Sequence, residues 1–142
     1  MDIRLLQRKD IQKAATIVGK NYSKKWQLSA TRELAVMFDR SVGTPTYFVA
    51  EENGKIIGLA GYIQSWMDYS IYQIFWVNVL PERQKQGIGT KLVDRVVKEI
   101  RKKKDAEYIL LTTTLPEYYR NHWGFKVLKT ISKGYQLMIL TL

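Results

Sequence analysis

Nine residues, Ile71–Val79 (IYQIFWVNV), are apolar on both alternating sets of positions. A strand of that kind has to be covered on both faces, which puts it in the middle of a sheet with helices on either side. From Gly87 the period changes. Ile88, Leu92, Val96 and Ile100 recur every four residues beside Val93 and Val97, while Lys91, Asp94, Arg95, Lys98 and Glu99 take the other side. That is the pattern of an amphipathic helix. Glu107–Thr114 (EYILLTTT) is again strand-like. Strand, helix and strand in that order form a βαβ unit, so the two strands are expected to run parallel through a right-handed crossover.

The flanking segments add antiparallel elements. Ile3–Gln7 reads as a first strand, and Asp10 stands at an N-cap position before Ile11, Ala14, Ala15, Ile17 and Val18, which have helical spacing. A second helix is expected over Leu28–Arg40, with Leu34, Met37 and Phe38 inward. TYFVAEENGKIIGLAGYIQ is a hairpin turning at Asn53-Gly54, and Gly58 and Gly61 inside it suggest a bulge or a close backbone approach. A loop, Ser65–Ser70, leads into the central strand. Pro116 opens a short helix that stops near Gly124, and Phe125–Lys129 and Tyr135–Thr141 close the chain as strands. Without repeats, low-complexity tracts or linker-like composition, 142 residues are expected to form one domain, 1–142, in the α/β class, with a mixed sheet of about seven strands, a central parallel pair and four helices.

Composition narrows the functions. Hydrophobic residues make up 46% and charged residues 25%, an ordinary globular balance. No cysteine is present, which removes disulfides, thiolate metal sites and cysteine nucleophiles together. MDIRLLQRKD mixes charges through its first ten positions and is not a secretory signal, and no apolar run has the length of a membrane span. A cytoplasmic protein is expected. The net charge of +10 favours an anionic partner. Its one dense cluster, Arg101–Lys104, reads as a solvated helix end where cations oppose the helix dipole. There is no nucleic-acid reader motif.

Between the central strand and its helix lies PERQKQGIGT. A helix N-terminus leaves its first amides unpaired and partly positive, and Gly87 and Gly89 let a ligand approach the backbone. Together they suit an anion such as a pyrophosphate. No glycine here satisfies the Walker spacing, and Leu92 stands where a dinucleotide fingerprint needs its third glycine. The alternative is that Gly87 only turns the chain and Gly89 only relieves crowding.

The stretch Gln84-x-x-Gly87-x-Gly89 after NVLPE resembles the signature of the GCN5-related N-acetyltransferases (GNAT), which bind acetyl-CoA. Ile3-Arg4 with Asp10, FVAEENGKIIGLAGY (Phe48–Tyr62) and YYRNHWGF (Tyr118–Phe125) are similar to other parts of that family, so the likeness spans nearly the whole chain. It implies the GNAT-like acyl-CoA N-acyltransferase fold, and acetyl-CoA as co-substrate without a metal. The backbone of Lys85, Gln86, Gly87, Ile88, Gly89 and Thr90, with Gln84, would cradle the pyrophosphate. Val77 and Val79 would offer main-chain groups to the pantetheine arm and the acetyl carbonyl, with the fourth and fifth strands splaying apart beyond Val79.

The resemblance also implies catalytic roles. The family's leaving-group acid is a tyrosine four residues before the Gly of Gly-Phe, a place that holds Arg120 here. A one-residue insertion accommodated by Trp123 would restore Tyr119, favoured over Tyr118. The family's strand carboxylate is replaced by Gln73, leaving Asp68, or Tyr72 through a water, as candidate bases. His122 reads as structural or exposed. Tyr22, Trp26, Trp66 and Tyr69 lie in the segments that bind the acceptor, with Asp68 against Lys24 and Lys25. The implied activity is acetyl transfer to a primary amine of a small molecule or peptide, in a monomer or homodimer. A catalytically weak acetyl-CoA sensor and a basic nucleic-acid module are the competing readings.

Overall fold

The structure, a computed structural model, describes residues 1–142. The strands are β1 (Asp2–Leu5), β2 (Thr46–Glu52), β3 (Lys55–Gln64), β4 (Ile71–Val79), β5 (Tyr108–Thr113), β6 (Lys126–Thr130) and β7 (Gln136–Thr141). They form one sheet in the order β1-β2-β3-β4-β5-β7-β6, and only β4 and β5 run parallel. The helices are α1 (Ile11–Asn21), α2 (Lys24–Val36), α3 (Ile88–Arg101) and α4 (Pro116–Trp123). The expected α/β architecture is therefore present, with β4 at its centre. No helix is long and apolar enough to cross a membrane.

Two glycines of β3 show how closely the layers approach. A Cβ on Gly58 would stand 2.9 Å from Leu92 Cδ1 of α3 and 3.1 Å from the Asn78 carbonyl. One on Gly61 would run into the ring of Tyr47, at 2.4 Å, on the opposite face. The hairpin glycines are thus required by close approach, and the bulge lies between them. Leu59 pairs with Asn78 and Gly61 with Phe75, so Ala60 opposes both Trp76 and Val77. Trp76 takes φ +53°, a left-handed conformation rare for a bulky residue.

Two expectations need correction. The second helix begins at Lys24, not Leu28, and ends at Val36, after which Met37–Asp39 tighten into a 3₁₀ turn. Only Tyr22 and Ser23 separate it from α1, so Trp26 sits on a helix. The parallel pair also parts earlier than expected. Its register runs only from Ile71 opposite Tyr108 to Gln73 opposite Leu110, six residues before Val79. Beyond Leu110, β5 stays paired with β7 through Thr113, while the bulge turns β4 away.

At the sheet's edge Arg4 joins β1, β2 and the start of α1. Its guanidinium donates to Asp10 at 2.7 and 3.2 Å and to Glu51 at 3.0 Å. Burial pushes the Asp10 carboxyl up, but Arg4 and the Gln7 amide outweigh it and hold it below its ordinary value. A carboxylate shifted this way stabilises the fold above the unfolded-state pKa of about 4, and that contribution disappears as pH falls through the lower folded-state value. Arg4→Met, which leaves buried Asp10 without its cation, should cost about 2 kcal/mol at pH 7. In urea melts the gap between variant and wild type should close towards pH 2; a gap constant across that range would show that the ion pair is not the cause.

Candidate active site

The site begins where β4 loses its neighbour. Leu80 N–H donates to Ile57 O on β3 at 3.0 Å. Adjacent strand residues direct their backbone groups to opposite edges, so those of Val79, and of Val77 two residues back, turn to the edge that β5 has left. The Val79 carbonyl is satisfied by side chains. Asn21 Nδ2, at the end of α1, donates to it at 2.9 Å and Gln84 Nε2 at 3.2 Å. Asn21 Nδ2 also reaches Asn78 Oδ1 at 3.0 Å, and Gln84 Nε2 reaches Asn21 Oδ1 at 3.0 Å. Asn21 and Asn78 carry no motif, and nothing in the sequence pointed to them. Gln84, expected among the cofactor's contacts, has its side-chain amide committed to this knot.

Beyond Val79, a 3₁₀ turn (Pro81–Arg83) leads to the loop and α3. Arg83 ties the loop down through Glu52 at 2.7 Å and Gln86 Oε1 at 3.0 Å. Lys85 and Gly87 both have positive φ, 61° and 83°, which bends the chain into the helix. No side chain caps α3, so its first amides are left for a ligand. A Cβ on Gly89 would meet Val79 Cγ2 at 3.6 Å and the Tyr118 hydroxyl at 3.9 Å. Gly89 therefore lies between the strand end and α4, and the space its missing side chain leaves belongs to the groove. An anion of the pyrophosphate kind fits this arrangement of open amides, bare backbone and Lys85.

The short helix α4 brings both tyrosines to the slot in different states. Tyr118 is half-buried and its hydroxyl lies 2.5 Å from Thr90 Oγ1 on the first turn of α3. Burial raises its pKa, and the Thr90 contact opposes that. Tyr119 is 7% exposed, its ring set edge-on to Phe125 and Tyr118. Burial, then the neighbouring Tyr118 and Tyr22 phenols, push the Tyr119 pKa well up, so it stays protonated at neutral pH. Its hydroxyl bonds nothing in the chain and is not among the buried polar atoms sealed without a partner, which are Tyr47 Oη and Trp76 Nε1. Arg120 points outward and pairs with Glu117. α4 runs unbroken to Trp123 and closes on Gly124 at φ +82°. His122 is exposed, with Nδ1 2.9 Å from the Tyr118 carbonyl.

The other sequence candidates divide between the two ends of β4. Trp26 packs edge-on to Trp76 at 6.2 Å, and Tyr22 is close enough to Tyr119 to raise its pKa, so both belong to the bulge end. Trp66, Asp68 and Tyr69 precede Ile71, at the end where β4 and β5 are still paired. At ~3.3 Å per residue that is ~17 Å from Trp76. Trp66 lies over Gly43, and the Asp68 carboxylate accepts from Ser70 N–H at 2.9 Å and Oγ at 2.8 Å, which hold its pKa low. The Asp68 carboxylate is thus committed to closing its own turn, at the paired end of β4. Tyr72 is also committed elsewhere, donating to Asp105 at 2.9 Å, with burial pushing its pKa up to about 12. No group of three or more His, Cys, Asp or Glu could hold a metal ion.

The fold is a mixed seven-stranded sheet whose one parallel pair, β4 and β5, parts ahead of the turn into α3. The profile of the acetyltransferase (GNAT) family matches residues 11–125, and the chain belongs to that family. Among solved structures, a protein described as a GNAT-family acetyltransferase from Desulfovibrio desulfuricans superposes with TM-score 0.82 at 21% identity, over 99% of this chain and 97% of that one. An aminoglycoside 6'-N-acetyltransferase complexed with coenzyme A gives 0.79 at 19%, over 99% and 97%. A Salmonella typhimurium protein described as an acetyltransferase, with acetyl-CoA, gives 0.77 at 20%, over 99% and 93%. No curated protein sequence matches the chain significantly.

Gly89 offers a separation of folding from binding. A methyl there makes only ordinary contacts, so Gly89→Ala should melt within ~2 °C of wild type, while the added carbon narrows the groove. Coenzyme A should bind the variant about tenfold more weakly by calorimetry. Equal affinity would place the phosphates elsewhere.

Proposed function

We propose that the chain is an N-acetyltransferase that moves the acetyl group of acetyl-CoA to a primary amine by direct attack within a ternary complex. The observation that carries this reading is the slot itself: β4 and β5 part after Gln73, and the opening runs to the uncapped start of α3 beside a reachable phenol. Acetyl-CoA supplies an activated thioester. The backbone of Lys85, Gln86, Gly87, Ile88, Gly89 and Thr90 holds its pyrophosphate. Val77 and Val79 line the slot with main-chain groups, and the Val79 N–H polarises the acetyl carbonyl as charge develops on it. The Val79 carbonyl takes no part, since Asn21 and Gln84 occupy it.

A neutral amine attacks the carbonyl carbon, the C–S bond breaks, and the departing sulfur needs a proton. Tyr119 is assigned as the donor. Its raised pKa keeps the proton available at neutral pH, and its hydroxyl has no competing partner. Tyr118 is bound to Thr90, nearer the phosphate end, and is assigned to positioning. The amine's own proton leaves towards the bulge end of β4, where Tyr22 and Trp26 line the approach.

Acetyl-CoA should raise the melting temperature, as any ligand selective for the folded state does. Thiol release with a panel of amines then tests transfer. Tyr119→Phe should lower kcat about 10–100-fold with little change in KM for acetyl-CoA, because only the transition state loses a donor. Tyr118→Phe should do less. An unchanged rate in Tyr119→Phe, with chemistry limiting, would remove the assignment.

A further inference from the structure

The end of β4 away from the slot borders a concave site that acetyl-CoA does not use. α3 ends at Arg101, and past that end lies an open cavity of about 430 Å³, a size in the range of small-ligand pockets. Its floor is the face of the sheet that α3 covers. Tyr62 and Gln64 alternate with Gly58 along β3, and Tyr72 of β4 pairs with Gln64, so all three side chains rise on that face. The Tyr62 and Tyr72 rings lie 6.3 Å apart. Thr44 and Thr46, at the entry to β2, and Lys103 and Lys104, after α3, complete the lining. At ~3.3 Å per residue, Val79 is ~23 Å further along β4 than Tyr72.

The polar groups of this lining divide into those already engaged and those left open. Tyr72 donates to one Asp105 oxygen at 2.9 Å. Gln64 Nε2 donates to the other at 2.9 Å and to the Tyr69 carbonyl at 3.0 Å. Asp105 is thus committed to fixing the floor. Tyr62 is different. It is 7% exposed, yet its hydroxyl has no partner in the chain and is not sealed from the cavity. A phenol held that deeply and left open calls for a partner from outside. The Thr44 and Thr46 hydroxyls are unpaired as well, and neither Lys103 nor Lys104 makes an ion pair. These two lysines belong to the chain's one dense basic run, Arg101–Lys104. Two carbonyls at the end of α3 are taken by the Lys102 and Lys103 amides, at 3.3 and 2.9 Å, which partly closes the helix's negative end.

We propose that this cavity is a second binding site, for a small polyhydroxylated anion: a sugar phosphate or a sugar acid. Lys103 and Lys104 hold the anionic end through charge-assisted hydrogen bonds. The Tyr62 phenol, the two threonines and Gln64 Oε1 exchange hydrogen bonds with the hydroxyls of the body, whose C–H face lies on the tyrosine rings. An apolar anion would leave the Tyr62 and threonine hydroxyls covered and unpartnered. A cation would meet two unpaired lysines against one carboxylate that is already committed. A bare inorganic anion fills too little of the cavity to reach both the lysines and the floor. The inference stands apart from the acetyltransferase reading, because none of these residues belongs to the slot or to the loop before α3.

Calorimetry on the full chain, with and without saturating coenzyme A, tests this with glucose 6-phosphate, gluconate, glucose and inorganic phosphate. Glucose 6-phosphate or gluconate should bind with the same affinity in both cases, and the tighter of the two identifies the anionic group. Glucose and inorganic phosphate should each bind about tenfold more weakly or worse, since each supplies only half of the contacts. Replacing both lysines, Lys103→Gln with Lys104→Gln, should weaken the sugar anion about tenfold. Tyr62→Phe, which loses only the hydroxyl, should weaken it about fivefold. Lys103 and Lys104 are exposed, so the lysine variant should melt like wild type. No binding by either sugar anion, displacement by coenzyme A, equal affinity for inorganic phosphate, or unchanged affinity in the lysine variant would each overturn the proposal.

Discussion

A parallel strand pair that separates leaves backbone groups with no partner, and the rest of this molecule depends on how β4's are satisfied. A buried, unpaired carbonyl is costly, so a strand cannot simply leave its neighbour. At Val79 two side-chain amides, from Asn21 and Gln84, replace the missing strand. This fixes three things at once. The end of α1 is tied to the end of β4, the loop before α3 is tied to both, and β4's edge remains accessible along the interval between Gln73 and Val79. The parting could not persist without such a clamp, because β4 and β5 would gain hydrogen bonds by closing.

Gln84 is a motif residue whose side chain is engaged within the chain. It is committed to Val79 and Asn21, which leaves main-chain amides as the free donors of the turn before α3. Gly87 is needed for its positive φ and Gly89 for its bareness. Arg83 acts at a further remove, anchoring the loop to the β2–β3 hairpin through Glu52. Binding by backbone groups has a physical advantage, since amides neither titrate nor reorganise as a polyphosphate arrives.

Much of the scaffold was legible because it follows from periodicity. The two-sided apolar run of β4, the four-residue repeat of α3 and the Asn53-Gly54 turn each have one natural structural solution, and the glycines of β3 announced close approach. What was hidden is whatever depends on pairings between distant segments. No residue type signals the bulge: Trp76 is a favourable strand residue, and its positive φ arises because Ala60 has two residues opposite it. The early parting of β4 and β5 goes with the bulge opposite Ala60, which a local pattern does not contain. Trp26 read as a loop residue because Lys24 and Lys25 start α2 without an apolar rhythm. Asp68 drew attention as a loop carboxylate, whereas its short distance to Ser70 explains it as turn closure.

The net charge of +10 bears on both of the reaction's partners. A basic surface suggests steering towards an anion, and acetyl-CoA carries several negative charges. The same excess would oppose a cationic acceptor at long range. These demands are reconciled if the acceptor's own charge is small, since a weakly charged amine is repelled little by the surface that draws in a polyanion.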